Sequence, residues 1–165
     1  MADTGLHSPS ANGEDYTGWT DPTYAYSSDD SRAEPAASTN QHDWYNFSLG
    51  VPGAVTSIDG IEVICEFRAN ATGGGARIIV ELSWDGGPNY TSQGAYLEET
   101  GVTDVSHTQG GAADTWGRSW AASEFSDANF RVRCTHDGNR ISQLDHIQVR
   151  VTYTESARRI FITHA

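Results

Sequence analysis

The run Trp116-Gly117-Arg118-Ser119-Trp120 is the part of this chain best suited to recognition chemistry. In an extended segment, positions 116, 118 and 120 share a face, so Arg118 can lie between two indoles as a cation–π stack. Exposed, such a platform suits a sugar ring or a partner protein. Buried, the same residues plug one end of the fold while Arg118 fixes the loop. The usual burial of Trp favours this plainer reading, but the sequence leaves both open.

Other reactive side chains lack a pattern. His7, His42, His107, His136, His146 and His164 are scattered, with no H-E-x-x-H or C-x-x-C spacing to hold zinc. Cys65 and Cys134 both fall on apolar strand faces, where they either bridge the fold or stay as two reduced, buried side chains. Without a secretory leader the reduced state is expected, and a thiol in an apolar layer is a poor nucleophile. The acidic pairs Asp29-Asp30 and Glu98-Glu99 raise the question of calcium. Such a site needs about six to eight oxygens from a spaced loop, and no D-x-D-x-D-G run is present. Carboxylates in these segments more simply cap turn amides. Among 22 acidic residues a glycosidase pair can always be imagined, so that signal is not specific. All ten basic residues are Arg. The absence of Lys removes the phosphate-loop lysine, the Schiff-base lysine and any Ser-Lys pair. No catalytic residue, metal or cofactor is therefore expected. Three N-x-S/T matches, at Asn46, Asn70 and Asn89, read as coincidence in a chain without a leader.

Charge narrows the partners. A formal net charge of -12 over 165 residues opposes binding to nucleic acid, which needs a dense cationic face, and to anionic membranes. No apolar stretch approaches the ~20 residues that span a bilayer, and the expectation is a soluble protein of the compartment where it is made.

The elements that must position these side chains are strands. Ile61, Val63, Cys65 and Phe67 alternate with mostly polar neighbours, Ile64 being the exception. So do Ile78, Val80, Leu82 and Trp84; Phe130, Val132 and Cys134; and Ile147, Val149, Val151 and Tyr153. A period of two with one oily face is the mark of a half-buried antiparallel strand. Weaker candidates at 24–28, 44–49, 93–97 and 103–107 bring the number to about eight. Gly-rich turns separate them, and the only helical hint is one turn at 123–128. The outer face carries Glu62, Glu66, Arg77, Glu81, Arg131, Arg133 and Arg150, which read as a solvated surface with weak cross-strand pairs. The expected fold is an all-β antiparallel sandwich, a jelly roll, spanning 16–154. Residues 1–15 read as a flexible arm and 155–165 as a C-terminal extension.

Laid out in this order, the sequence resembles a β-sandwich domain of bacteriophage virion proteins that also recurs in bacterial surface proteins. The resemblance rests on Trp19-Thr20-Asp21-Pro22 with residues 25–30, on 58–63, on Val80 to Gly87, on Asp114 to Trp120, on 129–133 and on 149–153, and covers residues 17–154. It implies a non-enzymatic structural role, as a capsid decoration or cement protein on the virion exterior, made in the host cytoplasm. Its partners would be the major capsid protein or other virion proteins, in a homo-oligomer such as a trimer. The terminal residues Arg158, Arg159, Ile160, Phe161 and Ile162 are candidates for docking onto a neighbour, or else add an edge strand within the subunit. The alternative is a glycan-binding or adhesion module of a fibre or surface protein, with Trp116, Arg118 and Trp120 as its platform.

Overall fold

The computed structural model describes residues 1–13, 18–92 and 94–156. Its strands in chain order are β1 (Ala2–Asp3), β2 (Ala11–Asn12), β3 (Trp19–Thr20), β4 (Glu34–Pro35), β5 (Gln41–Tyr45), β6 (Val55–Ala69), β7 (Ala76–Ser83), β8 (Leu97–Glu99), β9 (Val105–Gly111), β10 (Arg131–His136) and β11 (Ser142–Glu155). They form one sheet in the order β1-β11-β6-β9, a second in the order β2-β5-β10-β7-β8, and a small β3-β4 ribbon. The chain is an antiparallel β-sandwich of jelly-roll type, as its alternation predicts.

The four strongest alternating segments are β6, β7, β10 and β11, and their apolar sets face each other between the sheets. Ile61, Val63, Cys65 and Phe67 of β6 are fully buried, as are Ile78 and Leu82 of β7, Val132 and Cys134 of β10, and Ile147, Val149 and Val151 of β11. Burial of each large apolar side chain stabilises the fold by roughly 1.5–3 kcal/mol. Trp44 seals one side, edge-on to Trp19 at 5.4 Å, with its indole N–H donated to the Pro22 carbonyl at 2.9 Å. Phe47, Trp120, Phe125 and Phe130 form a second aromatic cluster. Cys65 and Cys134 are free and buried, one in each sheet. The neighbouring Cys65 thiol, together with burial, pushes the Cys134 thiol well above its usual range, so Cys134 is held protonated.

Alternation fails at one instructive place. In β11 the buried residues Leu144 and Ile147 are three apart, and the register to β6 shifts between Leu144 and His146. Asp145 is the extra residue of a bulge, which lets both aliphatic side chains point inward. The Asp145 carboxylate accepts the backbone N–H groups of Asp29 and Asp30 at 3.3 and 3.4 Å.

The weaker segments are shifted or differ. Residues 22–25 form a 3₁₀ turn opened by Pro22 instead of a strand. The strand expected at 44–49 runs over Gln41–Tyr45 and stops before Asn46 and Ser48, both at positive φ. The expected helical turn is a 3₁₀ turn at Ala122–Phe125. Residue 93 of the segment 93–97 lies outside the described residues.

The N-terminal segment is not a free arm among its described residues. Ala2 and Asp3 pair with Tyr153 and Thr152, His7 bridges Val149, and Ala11 and Asn12 pair with Tyr45 and Trp44. The segment thus joins the β11 edge of one sheet to the β5 edge of the other. Backbone hydrogen bonds hold it, such as Thr4 N–H to Val151 O at 3.0 Å, so it needs no apolar pattern. The proposed docking residues Arg158, Arg159, Ile160, Phe161 and Ile162 lie outside the described residues.

The outer face of the second sheet is less wet than expected. Glu81 and Arg133 pair across β7 and β10 at 2.7 Å, yet Glu81 is only 5% exposed. The reason is the loop after β7, which folds back and lays the Tyr90 ring over the Arg133 guanidinium at 3.5 Å. The Tyr90 hydroxyl donates to Asp43, itself 2% exposed. On the first sheet Arg150 and Glu62 form the expected cross-strand pair, at 3.2 Å, and stay partly exposed.

Two histidines tie stability to pH. Burial lowers the affinity of His136 and His146 for a proton below that of a free imidazole, whose ordinary value is 6.5. The unfolded chain therefore takes up protons that the folded chain refuses, and stability falls as pH drops below about 6.5. Urea melts are expected to hold steady from pH 8 to about 6.5 and then decline towards pH 5. A His136→Gln/His146→Gln variant should flatten this limb; an unchanged slope would contradict the assignment.

Candidate functional site

The segment at 114–120 is a tight turn, not an extended strip. Trp116 and Gly117 both have positive φ, 56° and 74°, and Arg118 N–H is donated back to the Thr115 carbonyl at 3.3 Å. Two left-handed central residues suit a turn of type I′, which favours Gly and Asn and disfavours a bulky residue. Trp116 is nevertheless held there. Its backbone N–H goes to Asp114 Oδ1 at 2.8 Å and its indole N–H to the Ile61 carbonyl of β6 at 2.9 Å. Gly110 of β9 permits that approach, because a Cβ at this position would lie 2.6 Å from the indole nitrogen and collide with the Ile61 carbonyl. Backbone strain of this kind costs of order 1–3 kcal/mol and persists where the surroundings impose it, often at ligand sites.

The cation–π stack exists with a different partner. Arg118 lies 4.1 Å from the ring centre of Trp84 and 4.3 Å from that of Trp120, two indoles set nearly perpendicular at 88°. Its guanidinium also makes a two-point contact with Glu124, at 2.8 and 3.3 Å. Glu124 in turn accepts the Ala121 N–H at 2.8 Å, capping the 3₁₀ turn. Trp120 is 8% exposed and donates its indole N–H to Thr115 O at 2.8 Å, closing the loop. Arg118 and Trp120 therefore build the end of the sandwich, whereas Trp116 stands apart from the stack. Trp84 arrives from the end of β7, a juxtaposition that sequence spacing does not reveal.

Between this turn, the loop after β7 and the end of β9 lies a cleft of about 490 Å³. Trp84, Tyr90 and Trp116 supply aromatic wall, and Gln109, Asp114 and Arg118 supply polar groups. Its size is within the usual range for small-molecule sites, about 300–1,000 Å³. An aromatic surface beside amide, carboxylate and guanidinium groups can stack a ring and hydrogen-bond its substituents.

Two other clusters are accounted for by internal bonding. Asp30, Asp104 and Asp145 bring carboxylate oxygens within 4.8 Å of one another. Arg32 supplies their positive charge, bonding Asp30 at 2.9 Å and Asp104 through both Nε and a second nitrogen. Burial pushes the Asp145 carboxyl above its ordinary range. Ser8 Oγ meets His146 Nε2 at 2.8 Å. Among the described residues no carboxylate hydrogen-bonds the other ring nitrogen, so this pair secures the N-terminal segment and lacks the orienting third group of a hydrolase triad.

No protein-family model matches the chain, and no curated protein matches it. Solved structures do. The chain is similar to the CBM22-1 xylan-binding domain of Paenibacillus barcinonensis Xyn10C, at 15% identity and a TM-score of 0.48, over 94% of this chain and 97% of that one. It is also similar to the CBM22-1-CBM22-2 tandem domain of the same protein, at 13% identity and a TM-score of 0.50, over 98% of this chain and 48% of the tandem. A cowpea mosaic virus top-component particle chain matches at 14% identity and a TM-score of 0.35, over 97% of this chain and 87% of that one. At such identities the likeness concerns the β-sandwich. The sandwich implied by the resemblance to virion domains is present; affiliation with virions is a separate matter.

Stability should report the stack. Arg118→Ala removes the cation between Trp84 and Trp120 and strands Glu124, and is expected to cost about 1–2 kcal/mol in urea unfolding. Arg118→Lys should recover less than half, because an ammonium lacks the planar fork. Gly110→Ala is expected to cost about 3 kcal/mol and to alter tryptophan fluorescence by displacing Trp116. Full rescue by Lys, or a silent Gly110→Ala, would contradict this arrangement.

Proposed function

We propose that the chain is a non-catalytic carbohydrate-binding β-sandwich whose ligand site is the cleft beside Trp116. The observation that carries this reading is Trp116 itself, a large aromatic held at φ 56° by bonds to Asp114 and Ile61 at the wall of a cleft with polar partners. A tryptophan serving only as filler gains nothing from a left-handed backbone. Sugar rings present apolar C–H faces and a rim of hydroxyls, and the combination of Trp84, Trp116, Gln109 and Asp114 suits both.

Charge selects among sugars. Around the cleft Arg118 is matched by Glu124, which leaves Asp114 as an added negative charge, on a protein of net charge -12. Uronic and sulfated glycans are repelled by such a field, so the ligand is a neutral polysaccharide. The Paenibacillus domain is described as xylan-binding, which makes xylan a natural first probe.

A second proposal is the role of capsid decoration on a virion exterior, with the major capsid protein as partner and a homo-oligomer as the working form. It is supported by the sequence resemblance over residues 17–154. Co-sedimentation with virions or empty capsids tests it.

Affinity electrophoresis through xylan, mixed-linkage glucan, mannan, galactan and polygalacturonate tests the first proposal. Wild-type protein is expected to be retarded by at least one neutral polymer and not by polygalacturonate. Trp116→Ala should weaken retardation at least tenfold, with a melting curve verifying that the variant is folded. Absence of retardation by every neutral polymer, or undiminished retardation of Trp116→Ala, would overturn it.

A further inference from the structure

A second cleft, of about 590 Å³, lies on the other side of the same turn. Thr56, Ser57 and Ile58 of β6 form one wall, and Thr115, Ser119 and Trp120 the other. Both clefts include Gly117 and Arg118 in their linings, so only the crest of the turn divides them. The crest is bare backbone: Gly117 is exposed, at φ 74°, and nothing lies within 4 Å of where its Cβ would be.

The lining of the second cleft is hydroxyl-rich. Ser57 Oγ donates to Asp59 at 2.6 Å, and Thr56 Oγ1 meets Ser156 Oγ at 3.4 Å, which leaves acceptor capacity on both. The hydroxyls of Thr115 and Ser119 make no hydrogen bond to other described residues. Four hydroxyls beside the small exposed part of Trp120 make a surface for another polyhydroxylated ring, and a poor one for an apolar peptide.

We infer that the two clefts are adjoining subsites for one oligosaccharide, which crosses the turn over Gly117. This inference rests on the carbohydrate-binding reading of the first cleft and deepens it: the ligand is a stretch of a polymer chain and not a single sugar. A ring in the second cleft is tethered to the ring in the first, so its contacts add to affinity without a second association cost. Affinity therefore grows with chain length until both clefts are filled.

Calorimetric titration with xylo-, cello- and manno-oligosaccharides of two to six residues tests this. Wild type is expected to bind the hexasaccharide of its preferred series at least tenfold more tightly than the disaccharide. Gly117→Asn keeps a residue that tolerates the left-handed backbone but raises a side chain on the crest, and should cut that ratio to about twofold. Thr56→Ala/Ser119→Ala removes two exposed hydroxyls from the second cleft alone; it should lower hexasaccharide affinity and leave disaccharide affinity unchanged. A melting curve for each variant verifies folding. Equal affinity for short and long chains, or length dependence untouched by both variants, would overturn the second subsite while sparing the first. Wild-type protein that binds none of the sugars would overturn both.

Discussion

The ladder between β6 and β11 is the constraint on which the rest of the molecule hangs. These are the two longest strands, Val55–Ala69 and Ser142–Glu155, and they pair along nearly their full length. Their buried faces close over β7 and β10, so a one-residue slip would turn Val63, Cys65 and Val149 to water. With β6 fixed, β9 pairs on its other edge and brings Gly110 and Gly111 opposite Glu62 and Ile61. The Ile61 carbonyl is then where Trp116 can reach it. The cleft at the end of the sandwich is thus a consequence of core packing some distance away.

Charge is handled differently on the two outer faces. On the first sheet Arg150 and Glu62 remain partly in water, where an ion pair contributes little. On the second sheet the Tyr90 loop covers Arg133, Glu81 and Asp43, and this buried network is costly to break because each lost partner leaves a charge out of water. The covering loop also delivers Tyr90 to the cleft wall, so the network that closes one face helps to shape the opening at the end.

Much of the architecture is legible in the sequence because β6, β7, β10 and β11 alternate with few errors. The bulge at Asp145 has a signal too, since Leu144 and Ile147 are out of phase. The N-terminal pairings leave no comparable trace: Ala2, Asp3, Ala11 and Asn12 are small or polar, and they join the sheets through their backbones. At the site, Trp116, Arg118 and Trp120 are readable as a group, but their geometry is not. Asp114 two residues before Trp116 and Gly117 after it favour a turn over the extended strip expected there. The pairing of Arg118 with Trp84 depends on the end of β7 meeting a loop 34 residues later, which no local pattern encodes. Burial of Glu81 and the partial burial of Arg133 likewise follow from the return of a loop, and alternation alone places both residues in water.

The five indole N–H groups offer the most direct measurement of whether the end of the sandwich is a carbohydrate site. In nitrogen-15 NMR spectra recorded during titration with a soluble neutral polysaccharide, the signals of Trp116, Trp84 and Trp120 are predicted to move. Those of Trp19 and Trp44, which line neither cleft, are predicted to stay in place. Five unmoved signals, or shifts confined to Trp19 and Trp44, would contradict the account.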